Sequence, residues 1–190
     1  EIKRSLIFKA AQSLITQGNK KEASYLLEAL ARHHLNFKSK IYLAGVLYEI
    51  GDPQKAYNII RYLGISHRLE RPEGEAMHLW KLSYPEAYVE EFSNAAKVTR
   101  ISEEQLRGIV REESAFDAEA ISWAGALGLS QLMPPTARDE AARLKIKNIK
   151  NEDVLNPALN LTLGAQKFMR LKKRLGHPLL AMAGYNAGYK

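Results

Sequence analysis

Apolar residues recur at helical spacing along almost the whole chain. In an amphipathic helix the buried face repeats every three to four residues, whereas a half-buried strand alternates at every second residue. No stretch of clean two-residue alternation reaches the length of a strand. The pattern therefore predicts an all-α fold.

Two segments in the first part of the chain resemble each other. Residues 18–23 (GNKKEA) line up with residues 51–56 (GDPQKA), and an aromatic-aliphatic helix is predicted after each. A glycine that ends one helix and an alanine that allows close packing in the next are typical of tetratricopeptide-like helical hairpins. The pattern predicts two such hairpins, and a plain helical bundle with a chance match stays open as the alternative.

A change of composition marks a boundary between two parts of the chain. Residues 64–85 contain Gly64, Pro72, Gly74 and Pro85 and few long apolar faces, which is typical of a linker. We therefore expect a helical repeat and linker region in residues 1–82 and a second domain in residues 83–190.

Composition and charge narrow the classes of function. The 190 residues include 28 Lys and Arg against 21 Asp and Glu, a net charge of +7, but no dense basic block. Nucleic-acid binding favours a clustered basic face, so we expect no nucleic-acid partner. No apolar run reaches the roughly 18 residues that a membrane-spanning helix needs. The absence of cysteine excludes disulfides, thiolate catalysis and cysteine-ligated zinc.

One glutamate falls on the apolar face of a predicted helix. Ser102, followed by Glu-Glu-Gln, is a capping-box signature for a helix start. The apolar stripe of this helix is formed by Leu106, Ile109 and Val110. The next position on that stripe is Glu113, whereas its neighbour Glu112 points about 100° away, toward solvent.

An inward-facing carboxyl suggests acid–base chemistry. Desolvation of Glu113 would raise its pKa, which would make a protonated acid available near neutral pH. The structural alternative is an ion pair between Glu113 and an arginine such as Arg170, and the stripe alone leaves both interpretations open.

Two glycine-flanked segments could approach a ligand closely. Residues 121–135 are rich in small residues, and residues 184–188 read Gly-Tyr-Asn-Ala-Gly. Glycine lets backbone and ligand come close together. The segments present the side chains of Gln131, Met133, Tyr185 and Asn186. Together with an inward glutamate, they favour a binding cleft.

These segments resemble the three signature motifs of soluble lytic transglycosylases, lysozyme-like enzymes that cleave peptidoglycan between N-acetylmuramic acid and N-acetylglucosamine. The motifs are Glu113-Ser114, the run from Gly125 to Ala137, and Tyr185-Asn186-Ala187-Gly188. The resemblance covers slightly over half of the chain. It implies a lysozyme-like α-helical catalytic domain in residues 83–190, preceded by a superhelical segment. Because family members continue beyond the last motif, it also implies that the C-terminal end of the domain is missing here.

The resemblance also implies roles for individual residues. Glu113 would be the single catalytic acid/base, and Tyr185 would hydrogen-bond to it or orient it. The residues implied to bind the sugar are Ser114, Ser122, Gln131, Met133 and Asn186. The muramyl 6-hydroxyl would attack the anomeric carbon, which gives a 1,6-anhydromuramyl end without water, metal or cofactor. The substrate would place the protein in the periplasm or cell envelope.

Two other functions stay open at this point. A goose-type lysozyme-like hydrolase would use the same cleft but add water to the product. A non-catalytic scaffold would bind protein partners through the helical repeats and only hold glycan, and an ionised, idle Glu113 would mark it. The expected partner in every case is a peptidoglycan glycan strand.

Overall fold

The structure is a computed structural model that describes residues 2–63, 73 and 75–187. The chain divides into two compact units, Glu1–Ala87 and Tyr88–Lys190. Three residues of the predicted boundary, Gly64, Pro72 and Gly74, lie outside the described residues, as does Gly188 of the last motif. Within the described residues the regular elements are all helical, which confirms the predicted all-α class.

The first unit consists of helices that pack in consecutive pairs. After a short 3-10 helix at Ile2–Arg4 come α1 (Leu6–Thr16), α2 (Lys20–Ala31), α3 (Phe37–Glu49), α4 (Pro53–Ile60) and α5 (Glu75–Ser83). α1 packs against α2, and α3 packs against α4. The chain therefore forms two helical hairpins where the sequence predicts them.

Glycine makes the turn of each hairpin. Gly18 has a φ of 82° and Gly51 a φ of 93°, left-handed conformations that cost glycine little. The equivalent residues Ala23 and Ala56 of the following helices are fully buried, which lets the paired helices approach closely. The likeness of these hairpins to tetratricopeptide repeats stays a prediction.

The second unit is built around one long helix. Its elements are α6 (Val89–Thr99), α7 (Glu103–Glu113), α8 (Pro134–Arg143), a 3-10 helix at Glu152–Leu155, α9 (Pro157–Leu175) and α10 (Pro178–Ala187). α9 packs against α6, α8 and α10. Because α9 contributes to contacts on several sides, many of its side chains are buried.

Local signals in the sequence set the ends of α9. The side chain of Asn156 accepts a hydrogen bond from the Leu159 backbone N–H at 3.1 Å, and Pro157 occupies the first turn. Gly176 ends the helix with a φ of 72°. The last turn is basic, as the negative end of a helix dipole favours.

The loop between α7 and α8 contains no helix. Its only regular pairing among the described residues is two isolated β-bridges, Ile121 with Leu127 and Leu127 with Leu132. The buried side chains of Leu127 and Leu132 join a hydrophobic cluster with residues of α8 and α9. This cluster anchors the loop beside the end of α7.

Two features are absent from the described part of the chain. No helix in it is long and apolar enough to cross a membrane. No group of three His, Asp or Glu side chains in it could hold a metal ion.

Candidate active site

The C-terminal end of α7 carries the candidate catalytic carboxyl. Ser102 caps the helix by accepting a hydrogen bond from the Gln105 N–H at 3.2 Å, as its capping signature predicts. Glu113 is the last residue of the helix and is half-buried, whereas Glu112 is exposed and forms an ion pair with Arg111 at 2.9 Å. The predicted division of the two glutamates between an inner and an outer face is therefore confirmed.

Glu113 lines a cleft of the second unit that has a volume of about 510 Å³. Of the described residues that line this cleft, Glu113 alone carries a carboxyl group. Five of the residues predicted from sequence lie with it in the lining: Ser122, Gln131, Met133, Tyr185 and Asn186. The structure thus brings together residues that are up to 73 positions apart in sequence (186 − 113).

Ser114 has a different position. It follows the last residue of α7, where its hydroxyl donates to the Val110 carbonyl at 3.3 Å. It is not among the described residues that line the cleft. A role of Ser114 in sugar binding stays a prediction.

Burial changes the acidity of Glu113. Desolvation raises the pKa of its carboxyl above the ordinary value of 4.5, and the positive charge of Lys167 opposes part of the rise. The alternative partner considered for Glu113, Arg170, instead binds Glu140, with 2.7 Å between the nearest guanidinium nitrogen and carboxylate oxygen. The carboxyl of Glu113 is therefore available to the cleft rather than held in an ion pair with Arg170.

The loop between α7 and α8 forms one wall of the cleft. Ser122 holds the loop closed because its hydroxyl accepts a hydrogen bond from the Ala126 N–H at 2.9 Å. The Gln131 side-chain NH2 donates to the carbonyls of Ala120 at 3.2 Å and Gly128 at 2.9 Å. These bonds leave the Gln131 side-chain oxygen as its acceptor toward a ligand.

Asn160 of α9 holds this loop in place by hydrogen bonds to its backbone. Its fully buried side chain accepts from the Ser130 N–H at 2.7 Å and donates to the carbonyls of Leu127 at 2.9 Å and Val154 at 2.8 Å. Gly128 passes so close that a Cβ there would lie 2.5 Å from the Asn160 amide nitrogen. Glycine is thus required at this point by space as well as by its φ of 70°.

Tyr185 of α10 also lines the cleft. Its hydroxyl is buried and donates to the Ser130 carbonyl at 2.9 Å. Because the hydroxyl has one proton to donate, it does not donate to Glu113 here, and the orientation of Glu113 by Tyr185 that the resemblance implies stays a prediction. Burial raises the pKa of this phenol, and the negative charge of Glu113 raises it further. The adjacent Asn186 is exposed and lines the cleft.

Lys167 is a cleft residue that the sequence analysis missed. Its ammonium nitrogen lies 3.5 Å from the centroid of the Tyr185 ring and donates to the Tyr185 carbonyl at 3.4 Å. Burial lowers the pKa of Lys167, and the carboxylates of Glu113 and Glu140 oppose the fall. The sequence contains a signal for this position. Lys167 follows the buried residues Asn160 and Gly164 at helical spacing, in the same way as Glu113 follows the apolar stripe of α7.

The second unit is similar in sequence to lytic transglycosylases. The profile of the transglycosylase SLT domain family matches residues 90–190. A soluble lytic murein transglycosylase of Salmonella typhimurium is 31% identical over 107 residues, which are 55% of this chain and 17% of that protein. A membrane-bound lytic murein transglycosylase C of Histophilus somni is 37% identical over 76 residues, which are 39% of this chain and 21% of that protein. The chain thus matches about a fifth of the length of these curated relatives.

A solved structure matches nearly the whole chain. The lytic transglycosylase Slt of Pseudomonas aeruginosa has a TM-score of 0.74 and 24% identity, over 98% of this chain and 29% of that chain. At this identity the match supports the fold alone. It agrees with the all-helical architecture described above.

Proposed function

The chain belongs to the transglycosylase SLT domain family, and from this premise we propose that it is a lytic transglycosylase of peptidoglycan. The bond cleaved would be the β-1,4 bond from N-acetylmuramic acid to N-acetylglucosamine. The observation that carries the proposal is the half-buried carboxyl of Glu113, the one carboxyl among the described residues that line a cleft of polar, basic and apolar side chains. The substrate would place its action in the bacterial cell envelope.

Glu113 would act first as acid and then as base. The raised pKa increases the protonated fraction of the Glu113 carboxyl, and the protonated form donates its proton to the glycosidic oxygen as the C1–O4 bond breaks. The muramyl 6-hydroxyl then attacks C1, and its proton passes to the Glu113 carboxylate as the C1–O6 bond forms. Protons balance, no water is consumed, and the enzyme returns to its starting state.

The number of carboxyls in the cleft favours this route over hydrolysis. Ordinary glycosidases place two carboxyls about 5–10 Å apart on either side of the bond. Among the described cleft residues Glu113 is the only one, and the nearby Glu140 is buried against Arg170. An internal nucleophile removes the need for a second carboxylate.

Three other cleft residues, Gln131, Met133 and Asn186, would bind the glycan. The Gln131 side-chain oxygen and the exposed Asn186 amide offer polar contacts to sugar hydroxyls and acetamido groups. Met133, 41% exposed at the start of α8, offers a polarizable apolar surface. Ser122 and Tyr185 would act by holding the two walls in place.

Mass spectrometry of the products tests the proposal. Purified peptidoglycan is incubated with the protein, and the released muropeptides are compared with those from a known hydrolase. Fragments about 18 Da lighter than hydrolysis products are expected, because no water enters. Ordinary reducing ends would instead support a goose-type lysozyme-like hydrolase, and glycan binding without release would support a scaffold.

A further inference from the structure

One of the two tryptophans in the sequence is fully exposed to solvent. Trp123 is 101% exposed, whereas Trp80 is partly buried and stacks on Tyr84 with 4.2 Å between the ring centroids. Ile121, two residues before Trp123, is 64% exposed. Tryptophan is highly buried on average, because its side chain is large and mainly apolar. An indole left in water beside a second exposed apolar side chain is therefore a candidate contact for a ligand.

A tight turn, residues 122–125, holds Trp123 in place. The Ser122 carbonyl accepts a hydrogen bond from the Gly125 N–H at 2.9 Å, and the Ser122 N–H donates to the Ala126 carbonyl at 3.0 Å. Gly125 has a φ of 84°, which suits glycine at the end of such a turn. Because this backbone is fixed before a ligand arrives, binding to the indole loses little conformational entropy.

The turn is continuous with the candidate active cleft. Ser122 and Ala126 line the cleft, and Trp123 directly follows Ser122 in the chain. Adjacent Cα atoms are about 3.8 Å apart, so the indole starts one residue away from the lining. The volume of the cleft, about 510 Å³, is typical of a site for one small ligand, whereas a glycan strand is a polymer. A strand seated in the cleft must therefore continue over a neighbouring surface.

The surroundings of Trp123 favour an uncharged ligand. Residues 120–137 contain no Asp, Glu, Lys or Arg. An anionic membrane surface would instead be met by basic side chains close to the aromatic ring. The indole offers two apolar faces and one N–H donor. A β-linked N-acetylated sugar presents axial C–H groups to such a face, and its hydroxyl and acetamido oxygens can accept from such a donor.

We propose that Trp123 is a stacking site for a sugar of the glycan strand beyond the cleft. The inference rests on the proposed function, which supplies the strand. The indole would contribute to the affinity for long glycans, whereas the proton transfers stay with Glu113. It would thus make the protein favour long strands over short fragments.

Calorimetric titration with two chitin oligosaccharides tests the proposal. The protein is the Glu113→Gln variant, and the probes are a disaccharide and a hexasaccharide of β-1,4-linked N-acetylglucosamine. Trp123→Ala in this background should raise the Kd of the hexasaccharide about five- to thirtyfold, as loss of one aromatic anchor gives. The Kd of the disaccharide, which is short enough to bind in the cleft alone, should change less than twofold. An unchanged Kd of the hexasaccharide would overturn the proposal.

Three control variants identify the kind of contact. Leu179→Ala removes another exposed apolar side chain of the same unit, 67% exposed, and should leave the Kd of the hexasaccharide unchanged. Trp123→Tyr keeps a flat ring and should retain most of the affinity, whereas Trp123→Leu keeps only apolar area and should not. Equal losses in Leu179→Ala and Trp123→Ala, or equal affinities with leucine and tyrosine at position 123, would contradict stacking.

Cleavage of peptidoglycan by the unchanged protein separates this inference from the proposed function. Cleavage combined with an unchanged hexasaccharide Kd in Trp123→Ala would reject the stacking site alone. A hexasaccharide Kd that depends on Trp123 without any cleavage would retain the glycan site and reject the proposed function. A blue shift of tryptophan fluorescence that requires Trp123 and occurs with anionic phospholipid vesicles, but not with the hexasaccharide, would assign the indole to a membrane surface and overturn the proposal.

Discussion

Replacement of Asn160 by leucine tests how the wall of the cleft is held. The Asn160 side chain is fully buried and makes three hydrogen bonds, to the Ser130 N–H and to the carbonyls of Leu127 and Val154. Leucine has a similar size but can make none of them. One N–H and two carbonyls in the interior would therefore each lose a partner.

The expected magnitude follows from counting these groups. A buried polar group without a partner costs about 1–3 kcal/mol. The Leu127 carbonyl keeps the hydrogen bond from the Leu132 N–H at 3.0 Å, so the Ser130 N–H and the Val154 carbonyl bear most of the cost. We expect the free energy of unfolding of the second unit to fall by about 2–6 kcal/mol.

Urea denaturation followed by circular dichroism measures this loss. Asn156→Leu is the matched control, because Asn156 lies one turn earlier, is exposed, and makes one capping hydrogen bond to the Leu159 N–H. Loss of that cap should cost about 1 kcal/mol. If Asn160→Leu costs no more than the control, the reasoning about the buried network is refuted.

Three further variants give distinct readouts. Tyr185→Phe removes the hydroxyl that donates to the buried Ser130 carbonyl, so the free energy of unfolding in urea should fall by about 1–2 kcal/mol. Turnover should become slower without being abolished. Unchanged turnover would exclude the phenol from the site. Lys167→Met removes a positive charge that lowers the pKa of Glu113. The alkaline limb of the pH profile of kcat/KM should therefore move to higher pH. An alkaline limb at unchanged pH would contradict the electrostatic coupling between Lys167 and Glu113. Glu113→Gln removes a carboxylate whose ionised form is disfavoured by burial, so the variant should have a higher free energy of unfolding than the unchanged protein at neutral pH. This difference in stability should vanish below pH 4.5. A difference that stays constant with pH would disprove the raised pKa of Glu113.

The face of Glu113 could be predicted because it depends on local geometry. The capping residue Ser102 fixes the start of α7, and helical periodicity then decides which of two adjacent glutamates faces inward. The same holds for the glycine turns at Gly18 and Gly51, whose φ values follow from their place at helix ends. Such features need only the spacing of a few neighbouring residues.

The contacts that complete the cleft could not be predicted in this way. The Tyr185 hydroxyl and the Ser130 carbonyl are 55 positions apart, and nothing local selects that partner over Glu113. Asn160 joins segments from either side of α8, so its role depends on how the loop folds back on α9. Lys167 could have been found by its place on the buried stripe, but its contact with the Tyr185 ring required the packing of α10 on α9.

The central claim is that Glu113 alone carries the proton transfers, and turnover of purified peptidoglycan by Glu113→Gln and Glu112→Gln tests it most directly. Both variants make the same neutral substitution at adjacent positions, one lining the cleft and one exposed. Glu113→Gln should reduce release of anhydromuropeptides by about 10²–10⁴-fold while glycan binding persists. Glu112→Gln should retain the unchanged rate. Comparable losses in both variants, or sustained turnover by Glu113→Gln, would contradict the account.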